Sequence, residues 1–178
     1  MSAEVLLGVA GGVASYKSAA LCSKLVQTGY GVTVICTESA KSFVGAATFE
    51  ALSGRKVCSR IFDASFPLGP HIELARKADL MVIAPATANI IGRIANGIAD
   101  DLLSTTVLSF TGRRLFAPSM NVEMWNKPAV ARNVSQMVED GWDLVGPDAG
   151  WQSCRESGTG RMSDPEEIFA KIQDVLSP

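Results

Sequence analysis

The sequence predicts an α/β fold: one doubly wound parallel sheet with helices on both faces. Three observations carry this. The run Leu80-Met81-Val82-Ile83-Ala84 is apolar throughout, so it suits a strand covered on both sides rather than a half-exposed one. The first 36 residues read strand (5–10), glycine turn (Gly11-Gly12), helix (15–27) and strand (32–36), a βαβ unit with parallel strands and a right-handed crossover. The same alternation continues without repeats, linkers or low-complexity stretches, which predicts a single domain over 1–178.

The elements follow in order. Residues 5–10 are an apolar first strand, not a signal peptide, because a basic leader is missing and glycines interrupt the run. Gly29 stops the first helix. A short helix is expected from Lys41 and another over 47–53, followed by a proline-containing loop over 62–70 and a helix over 71–77. Pro85 is read as the end of the central strand. Ile90, Ile94, Ile98 and Leu102 recur at four-residue spacing, which predicts one continuous helix face closed by Asp100-Asp101. Two acids at a helix C-terminus oppose its dipole and need a partner. Further strands are expected at 115–117 and 143–145. Between them lies a helix over 128–140, capped by Asn126 and opened by Pro128. Residues 150–162 form a polar, glycine-rich loop, and Asp164-Pro165 opens the last helix.

Bulk properties exclude several classes. With 178 residues and 47% hydrophobic content the chain can bury a substantial core. A net charge of −2 argues against nucleic-acid binding, and no apolar run is long enough to cross a membrane. The four cysteines lack a CxxC pair, so neither structural zinc nor a disulfide framework is expected, and the default setting is reducing and cytoplasmic.

In a doubly wound sheet, ligands bind at strand C-terminal ends. Thr87-Ala88-Asn89, the segment from Pro118 to Trp125 and the loop 150–162 fall there. The glycine turn is neither GxGxxG nor a P-loop. Thr37 and Ser39 offer hydroxyls to a phosphate, or serve only as helix caps. Asn121 can donate to a carboxylate and accept from an amide, or merely cap a helix. His71 is the only histidine and follows a Pro-Leu-Gly-Pro turn, which suits projection into a cleft as well as plain exposure. Cys154, flanked by Arg155 and near Arg161, is either a usable proton donor or an inert exposed thiol. Arg161 suits a phosphate or carboxylate, and Gly158 and Gly160 suggest a flap that closes over a substrate.

Four blocks together resemble the flavin-containing cysteine decarboxylases. They are Gly11-Gly12-Val13-Ala14-Ser15-Tyr16-Lys17; His71 followed by ADLMVIAPATAN and IANGIADDLL; the PxMNxxMW block from Pro118 to Trp125; and CxxxGxGRM from Cys154 to Met162. The resemblance covers essentially the whole chain. Ser119 stands where the family often has Ala, and Arg155 where Gly is usual. The resemblance implies a flavodoxin-like, Rossmann-like three-layer fold with FMN held by Gly11, Gly12, Val13, Ser15, Thr37, Ser39, Thr87, Ala88, Asn89, Ile90 and Ser119. It gives catalytic roles to His71, Asn121 and Cys154, and substrate contacts to Asn121, Met120, Met124 and Arg161; no metal is implied. The activity implied is decarboxylation of a phosphorylated acyl-cysteine for coenzyme A biosynthesis: oxidation to a thioaldehyde, CO2 loss and re-reduction of the ene-thiol. The alternatives are a peptidyl-cysteine decarboxylase that stops at the ene-thiol, disfavoured by Cys154, and a non-catalytic flavin-binding regulatory protein. A homotrimer or multiple of trimers is implied, with His71 supplied in trans. Bacterial relatives fuse this domain to a ligase that makes the substrate, an activity not expected within 1–178.

Overall fold

Strands β1 (Glu4–Val9), β2 (Gly31–Cys36), β3 (Leu80–Ala86), β4 (Arg113–Pro118) and β5 (Trp142–Leu144) form a parallel sheet in the spatial order β2-β1-β3-β4-β5. This is the flavodoxin-like order. The computed structural model describes residues 2–177; Met1 and Pro178, included in the single-domain reading, lie outside the described residues.

Strand alternation builds two cores. Val5, Leu7, Val82 and Leu115 face one side and pack on α1 (Ser15–Gln27), α2 (Ala46–Ser53) and α8 (Pro165–Leu176). Leu6, Met81, Ile83 and Phe116 face the other and pack on α3 (Pro70–Lys77), α4 (Ala88–Ala95), α5 (Leu102–Ser109) and α7 (Pro128–Glu139). Every residue of β3 is buried, as its unbroken apolar run requires. Full burial of each such aliphatic side chain stabilises by about 1.5–3 kcal/mol.

Four expectations are corrected. Pro85 does not end β3: the strand runs through it to Ala86, with a register shift against β4 between Ile83 and Ala86. The predicted single helix over 90–102 is two. Ile90 and Ile94 are buried on α4, but Ile98 is exposed in the intervening turn, where Gly97 has φ +66°, and Leu102 opens α5. Asp101 therefore sits at a helix N-terminus, where the dipole favours an acid. It accepts from the backbone N–H of Ser104 at 2.8 Å in a capping box, and the Arg93 guanidinium reaches Asp101 (2.7 Å) and Asp100 (3.1 Å). Lys127, not Asn126, is the N-cap of α7 and makes no side-chain cap bond. Asp164 likewise makes no cap bond at α8; its carboxylate is drawn to Lys17.

Candidate functional site

The strand order reverses at β1, so a crevice opens beyond the C-terminal ends of β1 and β3. The glycine turn forms its floor. A Cβ on Gly11 would lie 2.5 Å from the Ser39 Cβ, so only glycine allows that approach. Thr87 closes the other side, its Cγ2 3.5 Å from where a Gly12 Cβ would sit. The hydroxyls of Thr37 and Ser39 are 3.2 Å apart at the exit of β2. Ala88 and the exposed Asn89 form the first turn of α4, capped by Thr87, which accepts from the Ile90 N–H at 3.4 Å.

Two residues expected to touch a cofactor have other work. Ser15 is fully buried, and its hydroxyl donates to the carbonyls of Gly12 (2.7 Å) and Ala10 (3.1 Å), which fixes the turn. The Ile90 side chain belongs to the core.

Beside the crevice lies a cleft of about 350 Å³. Val13 and Lys17 of the glycine-turn segment form one wall, Ser119, Met120 and Asn121 a second, and Gln152, Cys154 and Arg161 the third. The third wall is a hairpin of β6 (Asp148–Trp151) and β7 (Ser157–Arg161), not an irregular loop. A larger groove of about 580 Å³ between β2 and α3 contains none of the residues singled out by sequence. The smaller cleft, which holds Asn121 and Cys154 together, is therefore the candidate site.

Asn121 caps the short helix α6 (Val122–Trp125), its Oδ1 accepting from the Met124 N–H at 2.8 Å. That bond engages Oδ1 and leaves Nδ2 free to donate, on a residue that lines the cleft. Met124 contributes this backbone group; its side chain is exposed and does not line the cleft, against expectation. Met120 does line it, and its N–H donates to the Gly160 carbonyl at 2.9 Å.

The residue that sequence reasoning missed is Gln152. It is 7% exposed, accepts from the Val122 N–H at 2.9 Å, and points its Nε2 at the carbonyls of Gly158 (3.4 Å) and Met120 (3.5 Å). It thus ties the hairpin to the 120–122 segment. The glycines expected to loosen a flap do the reverse: a Cβ on Gly158 would lie 2.5 Å from Val122 Cγ2, and one on Gly160 would overlap the Met120 carbonyl oxygen. Lys17, 11% exposed, supports the base of the hairpin by donating to the Met162 carbonyl (2.9 Å) and Asp164 (2.6 Å). This hydrogen bond holds the Asp164 carboxyl below the ordinary carboxylate range.

The Cys154 thiol is exposed, with Gln152 Oε1 at 3.6 Å and Glu156 Oε2 at 3.9 Å as its polar neighbours, not the arginines inferred from sequence. Arg161 instead turns towards Asp148, 3.9 Å away. The hairpin tip is a three-residue loop: the Arg155 N–H donates to the Gln152 carbonyl (2.9 Å) and the Gln152 N–H to the Glu156 carbonyl (2.8 Å). Its last residue, Arg155, has φ +67° and is the one non-glycine residue with positive φ among those described. Such loops favour glycine there, and a left-handed L-residue costs about 1–2 kcal/mol.

His71 is not among the residues lining the cleft. It lies in the first turn of α3, half-buried, with its ring against Gly69 and its buried Nδ1 without a hydrogen-bond partner among the described residues.

A parallel sheet in this order, with a glycine turn and hydroxyls at the switch point, defines an α/β protein of the flavin- and nucleotide-binding class. More narrowly, the chain belongs to the Flavoprotein family, whose model matches residues 1–177. It is 50% identical over 166 residues to the coenzyme A biosynthesis bifunctional protein CoaBC of Bacillus subtilis (strain 168), covering 93% of this chain and 41% of that protein. The corresponding protein of Vibrio cholerae is 41% identical over 177 residues, covering 98% and 44%. The chain thus spans less than half the length of the curated relatives it matches. Among solved structures it resembles a PPC decarboxylase mutant complexed with pantothenoylaminoethenethiol (TM-score 0.89, 29% identity, 97% of each chain). It also resembles the FMN-dependent cysteine decarboxylase SpaF (TM-score 0.85, 32% identity, 98% and 95%).

Proposed function

We propose that this chain is an FMN-dependent decarboxylase converting 4′-phosphopantothenoyl-L-cysteine to 4′-phosphopantetheine in coenzyme A biosynthesis. The observation that carries this reading is the joint placement of Asn121 and Cys154 in one cleft adjoining the glycine-turn crevice. The crevice fits a flavin mononucleotide: a cradle too tight for any side chain at Gly11, paired hydroxyls at Thr37 and Ser39, and the N-terminus of α4 suited to an anion. Gly11, Gly12, Val13, Thr37, Ser39, Thr87, Ala88, Asn89 and Ser119 would hold it. FMN supplies reversible hydride chemistry, which the net redox-neutral loss of CO2 from an acyl-cysteine needs because its carboxylate has no electron sink of its own.

The chain's own residues then have separable tasks. Asn121, held by its cap bond, presents Nδ2–H to the substrate carboxylate and orients it. Cys154 Sγ–H carries the proton that must return to carbon when the ene-thiol becomes the saturated thiol. Met120, Arg161 and the hairpin, which line the cleft, enclose the substrate. His71 lies outside the cleft of its own chain, and Val13, Tyr16, Phe62, Leu68 and Trp151 leave apolar surface exposed. Both features support a homo-oligomer, a trimer or multiple of trimers, in which His71 completes a neighbour's site. The bifunctional coenzyme A biosynthesis relatives support coupling to a phosphopantothenate-cysteine ligase, and a cytoplasmic setting suits the pathway.

The test is an absorbance spectrum of the purified protein followed by addition of 4′-phosphopantothenoyl-cysteine. A flavin band and a product lighter by CO2 are expected; flavin without turnover refutes the reading. With Cys154→Ser, CO2 should still be released while the product stays two hydrogens short, at the ene-thiol. An unchanged yield of saturated product removes Cys154 from the mechanism.

A further inference from the structure

The buried amide of Gln152 has a fixed orientation. Its Oε1 accepts from the Val122 N–H at 2.9 Å, and its Nε2 faces the carbonyls of Gly158 and Met120 at 3.4 and 3.5 Å. Exchanging O and N would set the Val122 N–H against an NH2 group. The oxygen has two lone pairs, and Val122 takes one. The Cys154 Sγ lies 3.6 Å from the same oxygen, as a donor to it. The other acceptor at the thiol, Glu156 Oε2, is farther away at 3.9 Å and belongs to an exposed side chain. One oxygen atom thus touches both sides of the cleft: the residue next to Asn121 and the thiol of the hairpin. The Asn121 side holds without it, because Asn121 keeps its bond to the Met124 N–H and Met120 its bond to the Gly160 carbonyl. What Gln152 adds is the register of the thiol against that side.

We propose that Gln152 is a positioning residue for the return of the proton: its Oε1 holds the protonated Cys154 thiol in register with the carbon that Asn121 orients. The inference rests on the decarboxylase reading and adds that a buried amide, acting through Cys154, decides between the saturated thiol and the ene-thiol. A thiolate cannot donate to this oxygen, so the contact selects the form that carries the proton. In the step it serves, the Cys154 S–H bond breaks and a C–H bond forms at the carbon that lost CO2. The hydride received by the neighbouring, sulfur-bearing carbon is the one removed from it in the first half of the cycle. The thiolate left on Cys154 is exposed and takes its proton back from water.

The test compares the parent, Gln152→Met and Gln152→Glu as FMN-loaded proteins. Met keeps the length and bulk of the side chain and lacks the oxygen; Glu keeps an oxygen. The infrared S–H stretching band of Cys154, identified by its loss in Cys154→Ser, should move to higher wavenumber in Gln152→Met and not in Gln152→Glu. With 4′-phosphopantothenoyl-cysteine, Gln152→Met should release CO2 at nearly the parent rate, while the ratio of the product two hydrogens short to the saturated product rises about tenfold. Gln152→Glu should restore the saturated product. A residue that merely seats the hairpin would slow CO2 release and saturated product together. That outcome, an unmoved S–H band or an unchanged product ratio in Gln152→Met overturns the assignment. A flavin-loaded parent that releases no CO2 removes the decarboxylase reading itself, and the catalytic role of Gln152 with it.

Discussion

Replacing Gln152 by Leu tests whether the hairpin is seated by one side chain. Leu is of similar bulk, so the buried position stays filled and the change removes only polar contacts. Of the four contacts, the Val122 N–H bond at 2.9 Å has full strength, those to Gly158 and Met120 at 3.4 and 3.5 Å lie at the edge of useful geometry, and that from the Cys154 thiol at 3.6 Å is weak. Val122 is the first residue of α6, so its N–H has no helical partner and depends on Gln152. Stranding it costs about 1–3 kcal/mol. At about 2–4 °C per kcal/mol for a domain of this size, the melting temperature should fall by about 2–12 °C. The assay is calorimetric unfolding of the flavin-loaded protein, with Gln136→Leu as control. Gln136 makes a comparable 2.9 Å bond to Asp140 on the exposed face of α7, where removal should cost under about 0.5 kcal/mol. A loss in Gln152→Leu no larger than in the control refutes the argument that this residue anchors the hairpin.

Asn121→Asp should raise KM about tenfold or more by repelling the substrate carboxylate while leaving stability nearly unchanged, because aspartate also accepts the Met124 N–H as a cap; steady-state kinetics and a melting curve on the same sample separate the two. Thiol labelling of the native protein should show one fast site. Cys154 is exposed, Cys58 half-buried, and Cys22 and Cys36 fully buried with burial pushing their thiols to about 11 and about 12; Cys154→Ser should abolish the fast phase. The Glu4 carboxylate, held by Arg55 at 2.5 and 2.9 Å, titrates below the ordinary glutamate value of about 4.3. Because the folded state binds that proton less tightly, its contribution is full above that value and is lost as pH falls through the depressed folded pKa. The gap in melting temperature between the parent and Glu4→Gln should therefore shrink from about pH 6 to about pH 3, and a constant gap would refute the linkage.

The βαβ start was legible because two apolar strands and a glycine turn leave little alternative, and the central strand because an all-apolar run fits only a covered position. The helix over 90–102 misled because four-residue spacing is satisfied equally by one helix and by two joined through Gly97. Pro85 misled because proline is a generic stop, yet here it falls where the β3–β4 register shifts and a ladder bond is dispensable. Asn121 and Cys154 were visible as chemistry-bearing residues at loop positions. Gln152 was not: one glutamine in a polar loop carries no periodicity, and its value appears only once Val122, thirty residues away in sequence, is seen to lack a partner. Met124 was assigned by its side chain, whereas its backbone N–H does the positioning.

The seating of the hairpin bears on where motion can enter the cycle. The group proposed to orient the carboxylate and the group proposed to return the proton are carried on two segments joined at one seam: Met120 N–H to the Gly160 carbonyl, and Val122 N–H to the Gln152 side-chain Oε1. Gly158 and Gly160 allow that seam to close without a side chain between the segments. The separation of Asn121 from the base of the hairpin is therefore set by these two contacts, which hold the carboxylate-orienting group in place. Opening at the seam would break these bonds together, whereas the loop from Ser153 to Glu156 is exposed and closed by only two backbone bonds. Substrate entry should accordingly displace the tip and leave the seam closed. Hydrogen exchange can read this directly: the Met120 and Val122 amides should stay protected with and without ligand, and the amides of 153–156 should gain protection on binding.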